Sequence, residues 1–174
     1  MKMNVNGLWK VTILAGLIAF AVPPALAAEE PAETITAAPA ASAAGGNYLD
    51  SARELVIRAL ALIGVNYKWG GNTPDDGLDC SGLVSHVFRE VAGIVLPRDS
   101  RAMSKVGEKV GKSDLQPGDL VFFNTLRRPF SHVGIYIGEQ RFVHAASRGG
   151  EVEVSDLHSR YWQKHYNGAR RVNF

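Results

Sequence analysis

One cysteine and two histidines are the residues of this chain whose types and surroundings could support covalent chemistry. Cys80, the only cysteine, lies between Leu78-Asp79 and Ser81-Gly82, and His132 and His144 lie in two apolar segments typical of strands. A thiolate can attack an acyl carbon, while an imidazole accepts the thiol proton and later donates it to the leaving amine. These side chains predict a thiol hydrolase in which Cys80 is the nucleophile, His132 the base and His144 the group that orients the base.

The sequence after Cys80 predicts an amphipathic helix that ends at Ala92. Its apolar side chains recur with the helical period: Leu83, Val84, Val87, Phe88 and Val91. Gly93 then supplies a stop signal. A helix N-terminus has unpaired N–H groups and the positive end of the helix dipole, and both favour a thiolate over a thiol. We therefore expect the pKa of Cys80 to lie well below the value of about 8.5 for a free cysteine.

The two histidines are predicted to share one face of a β-hairpin. Two apolar segments, His132–Ile137 and Arg141–Ala145, flank a turn at Gly138-Glu139-Gln140. If all three turn residues form the loop, Gly134 faces His144 and the other histidine is its diagonal neighbour, roughly 7–8 Å away at Cα. A loop of two residues would instead place the histidines on opposite faces of the sheet. The predicted chemistry depends on the first of these registers.

Helices precede strands along the sequence, an order typical of an α+β fold with an antiparallel sheet. A first helix is predicted to open with the capping box Ser51-Ala52-Arg53-Glu54 and to end at Gly64. A further short helix is predicted after Pro97. Five segments are predicted to be strands: Leu120–Phe123, His132–Ile137, Arg141–Ala145, Glu151–Val154 and Ala169–Val172.

Residues 1–27 predict a secretory signal peptide. Two lysines precede an apolar segment, Val11–Val22, and Ala25-Leu26-Ala27 provides a cleavage site of small residues. The apolar segment is shorter than the roughly 20 residues that span a membrane, and Pro23-Pro24 interrupts it. We therefore expect an exported protein, periplasmic or secreted, without a stable membrane anchor. An uncleaved N-terminal anchor is the alternative.

Composition divides the rest of the chain into a linker and one domain. Residues 28–47 are rich in Ala, Pro, Glu and Thr without hydrophobic periodicity, which predicts a flexible linker. A single folded domain is expected at residues 48–174, which is long enough to form one core. The chain has 19 basic and 17 acidic side chains, and two of the basic ones lie in the leader. The nearly neutral remainder gives no basis for binding nucleic acid through bulk charge.

A lone cysteine in an exported protein has few uses. It cannot form an internal disulfide, so Cys80 is a buried apolar residue, an intermolecular link or a working thiol. Zinc binding by one cysteine and two histidines is a competing use, but the sequence lacks the short ligand spacings of such sites. We expect no metal and no other cofactor.

Several motifs together resemble the NlpC-type cysteine peptidases, which are compact papain-like enzymes that cut the peptide stems of bacterial peptidoglycan. The similarity runs from about Tyr48 to the C-terminus. The matching motifs are Tyr67-x-Trp69-Gly70-Gly71, Leu78-Asp79-Cys80-Ser81-Gly82-Leu83-Val84, Leu96-Pro97-Arg98-x-Ser100, Gln116-Pro117-Gly118-Asp119-Leu120-Val121-Phe122-Phe123 and Ser131-His132-Val133-Gly134-Ile135-Tyr136. The closing Tyr161-Trp162 to Val172 segment is most similar to the small Gram-negative murein endopeptidases of this family. The resemblance implies N-terminal helices packed on a five- to six-stranded antiparallel sheet.

The resemblance also implies roles for individual residues. It makes Cys80 the nucleophile, His132 the base and His144 the third polar group. Tyr67 falls where the family has a tyrosine that contacts the oxyanion or the substrate, and a hydroxyl there could act together with the Cys80 N–H. Three more residues are implied to bind substrate. Asp79 and Ser81 fall where some members hold a substrate amine, and Arg98 is the third.

One position departs from the family pattern. Met103 stands where the family often has glutamine, so a polar contact from that position is in doubt. The catalytic residues are unaffected by this change.

The resemblance implies a hydrolase of cell-wall stem peptides, and we expect it to be a monomer. Two bonds compete as its target: the D-alanyl–diaminopimelate cross-link, which the C-terminal similarity favours, and the γ-D-glutamyl–diaminopimelate bond within one stem. Acyl transfer by the same residues is a second possible activity, because an amine can replace water as the acceptor. A non-catalytic peptidoglycan-binding module is the third hypothesis.

Overall fold

The computed structural model describes residues 41–126, 128–148 and 150–173. The predicted signal peptide, residues 1–27, lies outside the described residues, as does the first part of the predicted linker, 28–40. Among the described residues, no helix has both the length and the apolar composition needed to cross a bilayer.

The first helix begins earlier than the sequence predicted. Helix α1 spans Ala41–Leu60, so residues 41–47 of the predicted linker are helical and the capping pattern at Ser51 lies inside the helix. The prediction of a start at Ser51 is therefore wrong. Alanine has the highest helix propensity, and Ala41-Ser42-Ala43-Ala44 allows the helix to begin before the capping box.

The remaining helices are shorter and have clear caps. Helix α2 spans Cys80–Ala92, as predicted, and Gly93 ends it in the left-handed conformation at φ 66°. Helix α3, Ser100–Met103, is the short helix predicted after Pro97. Helix α4, Arg160–His165, was not predicted. It has only six residues, too few to show a helical period.

The strands form two antiparallel sheets. A small sheet pairs β1, Asn72–Thr73, with β2, Gly77–Leu78. The main sheet has the order β3-β8-β4-β5-β6-β7, and each neighbouring pair is antiparallel. Its strands are β3 (Glu108–Val110), β4 (Leu120–Phe123), β5 (His132–Gly138), β6 (Arg141–Ala146), β7 (Glu151–Asp156) and β8 (Tyr166–Arg171). The predicted α+β class and the antiparallel sheet are confirmed.

The β5–β6 hairpin has the predicted register but not the predicted loop. Ile135 pairs with Val143, which places Gly134 opposite His144. The turn itself has two residues, Glu139 and Gln140, both at positive φ as in a type I′ turn. A bulge between β5 residues 136 and 138 adds the residue that restores the register. The two histidines therefore share a face despite the shorter loop.

The sheet is buried on both sides. Helices α1 and α2 pack against β5, and the larger core cluster lies on that side with Leu55, Leu83 and Phe88 fully buried. A second cluster includes Phe123 and Phe142. This two-sided burial explains why β4 reads as four consecutive apolar residues, all fully buried.

Candidate active site

The first turn of α2 holds Cys80 against the start of β5. Asp79 is the N-cap of the helix, and its Oδ1 accepts a hydrogen bond of 2.7 Å from the Gly82 N–H. The backbone N–H of Val133, the residue after His132, lies near enough to the Cys80 sulfur to lower the pKa of the thiol. Cys80 thus lies at the contact between the helix start and the strand that carries the predicted base.

Glycine at position 82 allows this close approach. A Cβ added to Gly82 would lie 2.0 Å from the carbonyl oxygen of Gly71, which is a backbone atom that cannot rotate away. The helix start is therefore packed directly on the loop that leads to it. This contact gives a physical reason for glycine two residues after the cysteine.

Burial, and not the helix terminus, dominates the acidity of Cys80. The pKa of Cys80 is raised to about 11, mainly by desolvation and also by the charge of Asp79, and the N–H groups of Val133 and Ser81 lower it without compensating. The expectation of a thiolate at neutral pH is therefore wrong for the free protein. The sequence shows the helix start but not the apolar surroundings that remove water from the sulfur.

The two histidines form a hydrogen-bonded pair within the sheet. The Nε2 of His132 lies 3.0 Å from the Nδ1 of His144. The Nε2 of His144 lies 3.0 Å from the Ser155 hydroxyl and 3.5 Å from a carboxylate oxygen of Glu153, both on the adjacent strand β7. The sequence did not single out Ser155 or Glu153, because only the β6–β7 pairing places Glu153 opposite His144.

These contacts favour one arrangement of ring protons. A carboxylate can only accept, so Glu153 favours a proton on Nε2 of His144. The Nδ1 of His144 is then an acceptor for the N–H at Nε2 of His132. This leaves the Nδ1 of His132 unprotonated, with a lone pair that can accept a proton.

Aromatic rings surround the histidine pair. The Trp162 indole, on α4, stacks on the His132 ring at 5.6 Å and 22° and meets the His144 ring edge-on at 5.0 Å. Phe142 stacks on His144 at 5.0 Å and also meets Trp162 edge-on at 5.0 Å. Sequence reasoning noted Trp162 only within the C-terminal motif and assigned it no role at the site.

Burial among these rings keeps both imidazoles neutral. Desolvation lowers the pKa of His132 to about 4, against an opposing effect of the Asp79 charge. Desolvation, followed by the proximity of His132, lowers the pKa of His144 to about 2. With Cys80 protonated, the resting site is a neutral thiol beside neutral imidazoles.

A charged network forms the other side of the site. Arg98 donates to both Asp79 carboxylate oxygens, at 2.8 and 3.0 Å, and to the Ser81 hydroxyl at 2.8 Å. The Gly70 N–H also donates to Asp79, at 3.0 Å. Burial alone would raise the pKa of Asp79, but the hydrogen bonds from Arg98, Gly82 and Ser81 hold it below its ordinary value. Asp79 therefore stays ionised.

The predicted site residues line two cavities that meet at Leu126. The larger cavity, of about 450 Å³, is lined by Cys80 and by all four predicted substrate-binding residues: Tyr67, Asp79, Ser81 and Arg98. The smaller cavity, of about 290 Å³, is lined by His132 and His144. Burial raises the pKa of Tyr67, assisted by the Cys80 sulfur once it is ionised and by the Asp79 carboxylate, so its hydroxyl remains a donor.

Two other sequence expectations concern the surroundings of the site. Met103 is fully buried in the helix-side core, so an apolar side chain takes the position where the family often has glutamine. No group of three or more His, Cys, Asp or Glu side chains within the described part of the chain is arranged to hold a metal ion.

Comparison with known proteins assigns the family. Residues 64–171 match the sequence model of the NlpC/P60 family. The chain belongs to the NlpC/P60 family. The sequence prediction of an NlpC-type cysteine peptidase is therefore confirmed at the level of the family.

Three relatives show the range of this NlpC/P60 similarity. The chain is 47% identical over 120 residues to the gamma-DL-glutamyl hydrolase of Bacillus subtilis (strain 168), covering 68% of this chain and 29% of that protein. It is 46% identical over 109 residues to the murein DD-endopeptidase MepS/murein LD-carboxypeptidase of Escherichia coli (strain K12), covering 63% and 56%. The crystal structure of an NlpC/P60 family protein from Bacillus cereus ATCC 10987 matches with a TM-score of 0.66 and 34% identity, covering 71% and 40%. The chain thus spans only part of the length of these relatives.

Proposed function

We propose that this chain is a peptidoglycan hydrolase that cleaves amide bonds of cell-wall stem peptides by a thiol mechanism. The observation that carries the proposal is the position of Cys80 at the start of α2, beside strand β5, whose His132 ring is 3.0 Å from that of His144 on β6. Two of the relatives are named as a murein endopeptidase and a glutamyl hydrolase, and these names support a substrate of this class.

The catalytic steps follow from the neutral resting site. As the Cys80 sulfur attacks the peptide carbonyl, its proton passes to Nδ1 of His132, and His144 stabilises the imidazolium through the Nε2 contact. The Cys80 N–H and the Tyr67 hydroxyl face the developing oxyanion. His132 then gives its proton to the departing amine, and water hydrolyses the acyl-enzyme by the reverse path.

We propose the D-alanyl–diaminopimelate cross-link as the bond that is cut. The 46% identity to a murein DD-endopeptidase supports this choice. The γ-D-glutamyl–diaminopimelate bond is the second candidate, because the similarity to a glutamyl hydrolase is equally strong. We further propose that the protein acts as a monomer outside the cytoplasm, in keeping with the predicted leader at residues 1–27 and a cell-wall substrate.

A digest of diaminopimelate-type peptidoglycan tests the proposal. The purified protein is compared with Cys80→Ala and His132→Ala, and the fragments are identified by mass spectrometry. Loss of cross-linked dimers with release of intact monomers is expected for the wild type, and loss of this activity for both variants. The exposed His158 lines neither cavity, so His158→Ala is the matched control and should remain active.

Other products distinguish the remaining hypotheses. Stems cut after glutamate would show the second bond to be the target. Products in which an added amine has replaced water would show acyl transfer. Full activity in either site variant would contradict the mechanism, and the absence of any Cys80-dependent product would favour a binding module.

A further inference from the structure

The nucleophile and the general acid of the proposed reaction face different cavities. Cys80 lines the larger cavity, whereas His132 and His144 line the smaller one, and Leu126 lines both. The departing amine must lie within hydrogen-bond reach of the imidazole that protonates it. The acyl half of the substrate therefore occupies the larger cavity, and the half that leaves as an amine occupies the smaller one.

Besides the two histidines, the smaller cavity is lined by charged and aromatic residues to which no role has been assigned. Its charged lining consists of Arg148, which is exposed, and Glu153, whose carboxylate already faces His144. No ion pair joins Arg148 to any other residue in the part of the chain that the structure describes. Tyr161 and Trp162 form an aromatic wall beside these charges.

Each cavity has an arginine in its lining, and the two arginines differ in whether a carboxylate already binds them. Arg98, in the larger cavity, is already held by Asp79 through two hydrogen bonds and cannot offer its full fork to an anion. Arg148 can, because its guanidinium has no such carboxylate partner among the described residues. A planar guanidinium recognises a carboxylate by paired hydrogen bonds.

We propose that the smaller cavity is the subsite for the leaving amino acid, and that Arg148 binds the carboxylate on the carbon that bears the departing amine. Diaminopimelate has such a carboxylate, and its aliphatic chain can lie along the rings of Trp162 and Tyr161. Lysine has no carboxylate beside its side-chain amine, and an amidated diaminopimelate has lost the charge. Arg148 thereby selects cross-links whose acceptor is diaminopimelate with a free carboxylate. This inference rests on the proposed function and names the substrate class of the same site.

Kinetics on matched substrates test the subsite. Three cross-linked peptides are compared, with free diaminopimelate, amidated diaminopimelate or lysine as the acceptor. Wild type is expected to prefer the free carboxylate by about ten- to a hundredfold in kcat/KM, the range of a charge-assisted hydrogen bond. In Arg148→Gln this ratio should fall close to one. Arg53, an exposed arginine of α1 that lines neither cavity, provides the control Arg53→Gln, which should keep the preference.

A binding measurement separates this inference from the proposed function. Calorimetry on Cys80→Ala, with and without Arg148→Gln, measures affinity for the acceptor peptide with a free or an amidated diaminopimelate. Weaker binding of only the free form in the double variant supports the subsite, even if the wild type cuts none of the three cross-links. The inference would be overturned if both variants bound the free form with the same affinity. It would also be overturned if Arg148→Gln kept the wild-type preference for the free carboxylate in kcat/KM.

Discussion

The Asp79 network and the histidine pair form two sides of the candidate site, and burial leaves the first charged and the second neutral. Around Asp79, burial is accompanied by hydrogen bonds from Arg98, Ser81 and backbone N–H groups, and the carboxylate keeps its charge. Around His132 and His144, burial is accompanied by aromatic rings, and the imidazoles lose theirs. Asp79 is less deeply buried than the histidines and has several hydrogen-bond donors, so burial depth and partners together decide whether each group is ionised. The charged side is suited to holding a substrate, and the neutral side to moving a proton.

The acid dependence of stability should separate the two sides, and this is the largest expected effect. The pKa of His132 is lowered from 6.5 to about 4 on folding, so its contribution is present above pH 6.5 and is lost as the pH falls towards 4. The shift corresponds to about 3 kcal/mol of unfolding free energy. Asp79 affects stability in a lower pH range. Because folding lowers its pKa below 3.8, its contribution to the unfolding free energy is lost only as the pH falls below 3.8. Urea unfolding measured between pH 7 and 4 checks this.

The control for this acid dependence is another histidine. In His132→Asn, the loss of stability between pH 6.5 and 4 should be smaller, whereas His158→Ala should follow the wild type. A wild-type unfolding free energy that stays constant down to pH 4 would show that the histidine is not held neutral.

Thiol reactivity tests how far the neutral side extends towards the nucleophile. With a pKa of about 11 against 9.0 for an unperturbed thiol, Cys80 should react with iodoacetamide about a hundredfold more slowly at pH 7 than the same cysteine in the unfolded chain. The rate should keep rising through pH 9. A plateau below pH 7 would indicate a preformed thiolate–imidazolium pair instead.

Removing the Asp79 carboxylate eliminates the hydrogen bonds that hold the charged side of the site together. Asp79→Ala deletes the cap of α2 and leaves Arg98 without its carboxylate partner, so we expect a loss of about 2–3 kcal/mol in unfolding free energy. Asp99→Ala is the matched control, because Asp99 caps α3 but forms no ion pair in the described part of the chain. It should cost about 1 kcal/mol. Equal losses in the two variants would mean that the Arg98 contacts add no stability.

The smallest effect is expected at the outer end of the histidine chain. Ser155→Ala removes the 3.0 Å contact to His144 but leaves Glu153 in place, so kcat should fall about fivefold with KM unchanged. Ser113→Ala, an exposed serine on the turn before β4, should not change kcat. A rise in KM at constant kcat would place Ser155 in substrate binding instead.

Local signals explain the parts of the fold that the sequence could predict. Helix α2 was predicted with its correct ends because the apolar period and Gly93 mark it independently of the rest of the molecule. Strand β4 was predicted because it is buried on both faces. The six residues of α4 and the two-residue strands β1 and β2 have no period to detect, and the bulge after Tyr136 depends on pairing with β6.

The candidate site divides in the same way. Residue type and motif were enough to single out Cys80, His132 and His144, because few other side chains can do this chemistry. Their protonation could not be predicted, since it depends on surroundings contributed by distant elements, with Trp162 arriving from α4. Glu153 was not predicted, because the sequence does not show which β7 residue faces His144.

The position of β8 in the sheet has a consequence for when the candidate site is assembled. This strand, Tyr166–Arg171, lies between β3 and β4, so a segment synthesised after both of them fills the gap between them. Until the ribosome has released the chain through Arg171, β4 lacks one neighbour, and α4, which carries Trp162, is not held over the histidines. The surroundings of the histidine pair are therefore completed only after β8 has left the ribosome, so any activity of the site begins after the synthesis of Arg171 and not before.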